Sequence, residues 1–264
     1  MPTLDLQHGL APGLGPPDEV VVAFFRAFLP DFYFVNTPIS RMRRHLQLIG
    51  DLRAAPLLLD FHQAVGANFT ELTLCAGDDA QPGLLSKVAG TLSALKINID
   101  TAWIHTLRDP HDVESGRRVV LDTLILSESG GGAGRPLSAK TQARVREILT
   151  PILSGQSSAL PSLAKILRRA SPLVIEEIST APDADGTLQI TLRAADAEAV
   201  LFRITRVLAS LGLDIAHAQI NTFERSIDDV FFVSKSGGAA IEADQIPGLL
   251  ELLRHALENE NFAA

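Results

Sequence analysis

Cysteine, tryptophan and tyrosine occur once each in 264 residues. One thiol, Cys75, rules out an internal disulfide and any multi-cysteine metal site; its setting in TELTLCA reads as a buried strand position. Long apolar runs are also missing. None reaches the roughly 18 to 20 residues that cross a bilayer, and the amino terminus lacks a basic start followed by an apolar stretch and a small-residue cleavage site. A cytoplasmic protein with no membrane contact is therefore expected. Positive charge is in short supply as well: 23 Lys and Arg stand against 31 Asp and Glu, a formal charge of -8. That balance offers no electrostatic footprint for a phosphate backbone, and the one dense basic cluster of the first half is RMRRH at 41–45. Nucleic acid is not an expected partner.

What is present points to an ordered chain. Hydrophobic residues make up 46% and charged residues 20%, ordinary for a soluble globular protein and too apolar for a disordered one. The length accommodates two compact domains of about 100 residues each.

An internal duplication organises the sequence. Residues 56–107 align without a gap against 172–223 at a constant offset of 116, from Pro56 and Pro172 to Thr106 and Thr222. The pairs Leu85/Leu201, Leu92/Leu208, Ile99/Ile215, Ala102/Ala218 and Ile104/Ile220 keep apolar opposite apolar. Beyond residue 107 the offset falls to 107, pairing Asp122 with Asp229 and Ser127 with Ser234, so the first copy carries nine extra residues in the polar stretch RDPHDVESGRR.

Each copy reads as the same series. PLLLDF and PLVIEEI are short apolar runs after a proline, and TELTLCA and TLQITLR alternate with the period of a half-buried strand. Leu85, Val88, Leu92 and Leu95, matched by Leu201, Ile204, Leu208 and Leu211, step by 3, 4 and 3 and lay one apolar stripe on a helix. A strand pair follows, and a second helix closes each copy, the first of them capped by Ser138. Strand, strand, helix, strand, strand, helix is a ferredoxin-like series with its last strand moved to the front. The expected fold is thus α+β: two tandem ferredoxin-like domains, each an antiparallel four-stranded sheet with two helices on one face, permuted so that the edge strand comes first. Predicted boundaries are a disordered Gly/Pro-rich tail (1–17), a helical lead-in (18–55), domain one (56–154), a linker with a short helix (155–171) and domain two (172–264).

QPGLLSKVAGTLSALKINIDTAWIHT resembles the ACT-domain pattern of a D-x-P-G-L-L turn after a strand, a helix, and a strand opening on an Asn-Ile pair. The repetition of LDTLILS and DDVFFVS adds to it. The resemblance runs over roughly residues 56–258 to the tandem ACT region at the carboxyl end of bacterial PII uridylyltransferases, glutamine-sensing enzymes of nitrogen control. FFRAFLPDFYFVNTPISRMRRHLQLI is similar to the connector before that region. The catalytic parts of such enzymes need a glycine-rich turn with a D-x-D pair for magnesium and a metal-binding His-Asp pair with further ligands. Neither is found here; His111-Asp112 stands alone in the polar insertion. The resemblance therefore implies a regulatory protein and not an enzyme, needing no cofactor and no metal.

In ACT domains, as the resemblance implies, an amino acid binds where the turn after the first strand meets the first helix, often between two domains. On this sequence the site falls on Asp79, Gln81, Pro82, Gly83, Leu84 and Asn98. Pro82 fits a first helical turn, Gly83 lets a ligand approach the backbone, and free N–H groups with the helix dipole attract a carboxylate. Asn98 can both donate to and accept from the ligand. The register departs from D-x-P-G in copy one, where Ala80 stands two before Pro82; copy two keeps Asp196 but has Glu198-Ala199 for Pro-Gly and Asp214 for Asn98. Copy two is expected to be structural, and so is Trp103, as a packing residue of the sheet face. Two functions remain in view: an amino-acid sensor, glutamine being the implied ligand, that changes contacts with a protein partner; and a ligand-free module that assembles by sheet pairing, within the chain or as a homo-oligomer. A third is a non-catalytic relative of the uridylyltransferase itself.

Overall fold

The computed structural model describes residues 16–78, 82–112, 114–128, 134–157, 163, 171–183, 186–223 and 226–259. The expected tail and the expected linker lie mostly outside them. Two compact units divide the chain, Met1–Ala54 and Ala55–Ala264.

In the first unit, prolines set the helix starts. Pro17, Pro30 and Pro38 stand at the N-caps of α1 (Asp18–Arg26), α2 (Asp31–Asn36) and α3 (Ile39–Asp51), since a residue with fixed φ and no N–H closes one segment and opens the next. Phe24, Phe25, Tyr33, Met42 and Ile49 are buried. The hydroxyl of Tyr33 lies 2.9 Å from Nδ1 of His45. Burial, reinforced by Arg41 and Arg44, pushes the His45 pKa down to about 3, so this histidine is neutral and structural.

The second unit holds both copies. Copy one supplies β1 (Leu57–His62), β2 (Thr70–Gly77), α4 (Leu84–Ala94), β3 (Ile97–Arg108), β4 (Arg118–Glu128) and α5 (Ala139–Leu153). Copy two supplies β5 (Ile175–Pro182), β6 (Leu188–Ala195), α6 (Val200–Ser210), β7 (Leu213–Phe223), β8 (Ser226–Lys235) and α7 (Ile246–Glu258). Ser138 caps α5 as expected, accepting from the Thr141 N–H.

One four-stranded sheet in each copy was the expectation, with pairing of sheets within the chain as one way for the copies to assemble. The two sets of four strands merge into one eight-stranded antiparallel sheet in the order β1-β2-β4-β3-β7-β8-β6-β5. The halves join because β3 and β7 would otherwise expose rows of unpaired backbone groups, and antiparallel pairing satisfies both. Their register runs from Thr101 opposite Asn221 to His105 opposite His217, with Trp103 opposite Gln219 at its centre. Trp103 and Gln219 are counterparts in the duplication, so a pseudo-twofold axis passes between them. The proline-led strands β1 and β5 are the outer edges, each antiparallel to the strand that follows it.

One hydrophobic core spans the whole sheet. Leu72, Leu74 and Ala76 on β2, and Leu188, Ile190, Leu192 and Ala194 on β6, turn alternate side chains to it, together with the helix residues Val88, Leu92, Leu149, Ile204, Leu208 and Leu257. A Cβ built on Gly90 of α4 would come within 2.8 Å of the Phe202 ring on α6. Close approach of these two helices therefore requires glycine there.

Candidate ligand-binding site

The pseudo-twofold arrangement creates two related pockets, each built from both copies. Antiparallel pairing of β3 with β7 carries the start of each strand across the axis to the helix-opening turn of the other copy. The α4 turn accordingly faces the start of β7, and the α6 turn faces the start of β3.

The pocket at the α4 turn is lined by Pro82, Gly83 and Leu84 from copy one and by Leu213, Asp214 and Ile215 from copy two. Its volume is only about 30 Å³, roughly the space of one water molecule. Arg118 spans its rim, with Nη2 2.5 Å from Asp78 and Nη1 2.6 Å from Asp214. Guanidinium thus joins a carboxylate of one copy to a carboxylate of the other. Gly83 has φ 125°, and Ser86 donates to its carbonyl at 2.8 Å.

At the α6 turn the pocket is far larger, about 530 Å³, well above the van der Waals size of an amino acid and inside the range of small-molecule sites. Asp196, Glu198 and Ala199 line it from copy two, and Lys96, Asn98 and Asp100 from copy one. Ala199, the counterpart of Gly83, adopts the left-handed φ of 57° to open α6. Burial raises the Asp196 and Asp100 pKa values, offset in part by a hydrogen bond from the Ala197 N–H to one and from Ser127 to the other.

The sequence-expected residues therefore part company. Pro82, Gly83 and Leu84 stay together at the smaller pocket, while Asn98 lines the larger one beside the turn of copy two. Asp79 and Gln81 lie outside the described residues. Asp214, expected to stand where Asn98 would be in copy two, does so, yet it serves the α4 pocket. Trp103 lies on the central strand β3, on the face opposite Ala102 and Ile104.

Sequence reading singled out Asp122 and Asp229 only as a matched pair. Both are fully buried, on β4 and β8, in the inward register otherwise held by Val120, Leu124 and Leu126 and by Ile227, Phe231 and Val233. Asp122 faces the α4 pocket and accepts from the His105 N–H at 3.4 Å; Asp229 faces the α6 pocket and accepts from the Asn221 N–H at 3.1 Å. Each keeps its Oδ2 without a hydrogen-bond partner. Burial drives both pKa values upward, that of Asp229 to about 8. The available signal was an acid recurring at the same inward step of an alternating strand in both copies.

Other reactive types have ordinary surroundings. Cys75 is buried, and burial, then Asp122 and Asp109, pushes its pKa up to about 12. His105 and His217 meet across the β3–β7 joint with Nδ1 atoms 3.4 Å apart. His111 sits in the β3–β4 loop, where its N–H is held by Asp109. Among the described residues no group of three or more His, Cys, Asp or Glu side chains is placed to hold a metal ion. No described helix is long and apolar enough to cross a membrane.

No family model matches the chain, and no solved structure matches it. Its similarity is to bifunctional uridylyltransferase/uridylyl-removing enzymes. With that of Nitrobacter winogradskyi it is 32% identical over 244 residues, which cover 88% of this chain and 24% of the enzyme. The Haemophilus influenzae enzyme is 26% identical over 235 residues, 86% of this chain and 24% of its own length. For Streptomyces coelicolor the values are 28% over 193 residues, 71% and 22%. The chain spans about a quarter of the length of the relatives it matches, and it resembles that part of the enzyme.

Proposed function

We propose that the chain is a regulatory amino-acid-binding module of ACT type, whose ligand occupies the pocket at the α6 turn and alters contacts with a protein partner. Within each half the strand order, β1-β2-β4-β3 and β5-β6-β8-β7, is that of a ferredoxin-like unit whose last strand has moved to the front. The observation that carries the reading is the cavity of about 530 Å³ where the α6 turn of one copy meets Asn98 of the other. It joins a helix start, which offers free N–H groups to a carboxylate, to an amide side chain able to donate and accept. The α4 pocket, at about 30 Å³, leaves no such room. Similarity to uridylyltransferases makes glutamine the first amino acid to try and the cytoplasm the compartment. In this reading the module binds and signals, and no catalytic step is assigned to its residues.

A thermal-shift panel of the twenty amino acids tests it. A ligand at 100 times its dissociation constant adds about 2.7 kcal/mol to stability, and Asn98→Ala should erase that gain. If no amino acid shifts the transition, the reading fails and a ligand-free interaction module takes its place.

A further inference from the structure

The charge around the α6 pocket is one-sided. Asp100, Asp196, Glu198 and Asp229 face it against the single ammonium of Lys96, and none of these four carboxylates has an ion-pair partner among the described residues. An α-helix start contributes about half a positive charge, too little to offset the excess of negative charge, three with every carboxylate ionised and two with Asp229 protonated. The related pocket shows how this chain resolves the same problem when it can. There Arg118 fills the gap between Asp78 and Asp214. At the corresponding positions the α6 pocket has Ala194 and Asn98, so the carboxylates that hold Arg118 are missing. The sequence counterpart of Arg118 is Arg225, outside the described residues; counting it still leaves the carboxylates in excess.

Asp229 lines the pocket, fully buried and with Oδ2 unpartnered. A buried carboxyl oxygen without a hydrogen-bond partner is costly whether or not it carries a proton, and an ionic hydrogen bond from a ligand's ammonium would relieve that cost. No described group of side chains is arranged for a metal ion, so the fitting cation is an organic one with directional donors and a body to fill the space.

We propose that the α6 pocket takes a ligand of net positive charge carrying a primary ammonium group, a basic amino acid or a short diamine, with that ammonium docked on Oδ2 of Asp229. This rests on the α6 pocket being the binding site, and it sets the ligand class: cationic in place of neutral. Asp229 holds a proton at neutral pH, burial having raised its pKa to about 8. An entering ammonium therefore displaces that proton to solvent, leaving an ammonium–carboxylate pair.

Calorimetric titration of the full chain at pH 7 decides the matter, with lysine, ornithine and 1,4-diaminobutane compared with glutamine and with norleucine, the uncharged isostere of lysine. Lysine or the diamine should bind about tenfold or more tighter than norleucine and glutamine, a difference of about 1.4 kcal/mol. Binding heats should depend on the buffer's ionisation enthalpy, showing proton release. Asp229→Asn, which keeps the shape and the acceptor for Asn221, should weaken the cation about tenfold and abolish the release. Lys96→Gly, which places there the residue copy two has at Gly212, should tighten it. Asp122→Asn should leave it unchanged. Equal or tighter binding of glutamine or norleucine, or indifference to both Asp229→Asn and Lys96→Gly, overturns the proposal. Glutamine bound and lost on Asn98→Ala would sink the cationic class while keeping the amino-acid module; no binding of any of these would sink both.

Discussion

Thr106 and Thr222 make one hydrogen bond in opposite directions: Thr106 Oγ1 donates to the carbonyl of Ile215 at 3.3 Å, and Thr222 Oγ1 donates to the carbonyl of Ile99 at 3.2 Å. Each threonine is the other's counterpart in the duplication, and so are the two isoleucines. The bonds stitch the ends of the β3–β7 joint, beyond the paired residues 101–105 and 217–221. Replacing either threonine by valine keeps the shape and removes the donor. Each change should cost about 1 kcal/mol, read as a lower denaturation midpoint, with the double variant close to the sum. Unchanged stability in both single variants would show that the sheet is joined by its backbone alone.

Gly90→Ala places a methyl group within 2.8 Å of the rigid Phe202 ring. Overpacking of this kind costs about 1–3 kcal/mol. Because the clash lies between α4 and α6, the loss should appear as one cooperative transition of lowered midpoint in urea. A change in stability under about 0.5 kcal/mol would mean that the helices part without penalty.

At the two turns the preference is the same, glycine over alanine, so opposite substitutions should act with opposite sign. Ala199 holds φ 57°, where an L side chain is strained, whereas Gly83 holds φ 125°. Ala199→Gly should stabilise by up to about 1 kcal/mol, and Gly83→Ala should destabilise by at least that amount. Thermal denaturation of the two variants side by side measures both. Stabilisation by Gly83→Ala would contradict the backbone geometry.

The buried acids set a pH dependence. Asp229 has a folded pKa of about 8 against an ordinary 3.8, so the folded state binds more protons than the unfolded state between those values. Stability from this group is full below about 3.8 and is lost as pH rises toward 8, by about 1.4 kcal/mol for each step of one in pH. Asp122, raised in the same direction, adds to the fall. The groups acting on Asp229 are the Asn221 N–H, which lowers its pKa, and Asp228 and Asp196, which raise it; on Asp122 they are the His105 N–H and Asp78, in the same two senses. Asp122→Asn and Asp229→Asn should each match the parent chain near pH 4 and exceed its stability at pH 9. Parent and variants falling in parallel would place the titration elsewhere.

Much of this architecture was legible because the duplication states each element twice. The offset from Pro56 to Pro172 located both edge strands, and the hydroxyl of Ser138 announced the start of α5. That the copies could pair through their sheets was expected; which strands would join, and in what register, was not legible. Edge pairing between β3 and β7 leaves no period in the sequence, since any alternating strand can pair with any other. That gap propagated to the site. Asn98 was grouped with Pro82 and Gly83 because they share a copy, while the strand crossing at Trp103 and Gln219 delivers Asn98 to the other copy's turn. Asp122 and Asp229 stood out only as a matched pair until the register of β4 and β8 turned them inward.

The axis between Trp103 and Gln219 has a last consequence, for the shape of a response curve. Two identical chains assembled about such an axis must carry two equal pockets, and ligand occupancy then follows a pair of sites that can cooperate. Covalent fusion lifts that equality. Here one pocket is narrow, with the Arg118 fork joining Asp78 and Asp214 beside it, and its counterpart is roomy. On the proposed reading, with the ligand in the α6 pocket, a chain so divided should saturate along a simple hyperbola, graded over about two decades of concentration and without a threshold. The halves keep a dimer's geometry, and on that reading the larger of the two related pockets would give them a monomer's dose dependence.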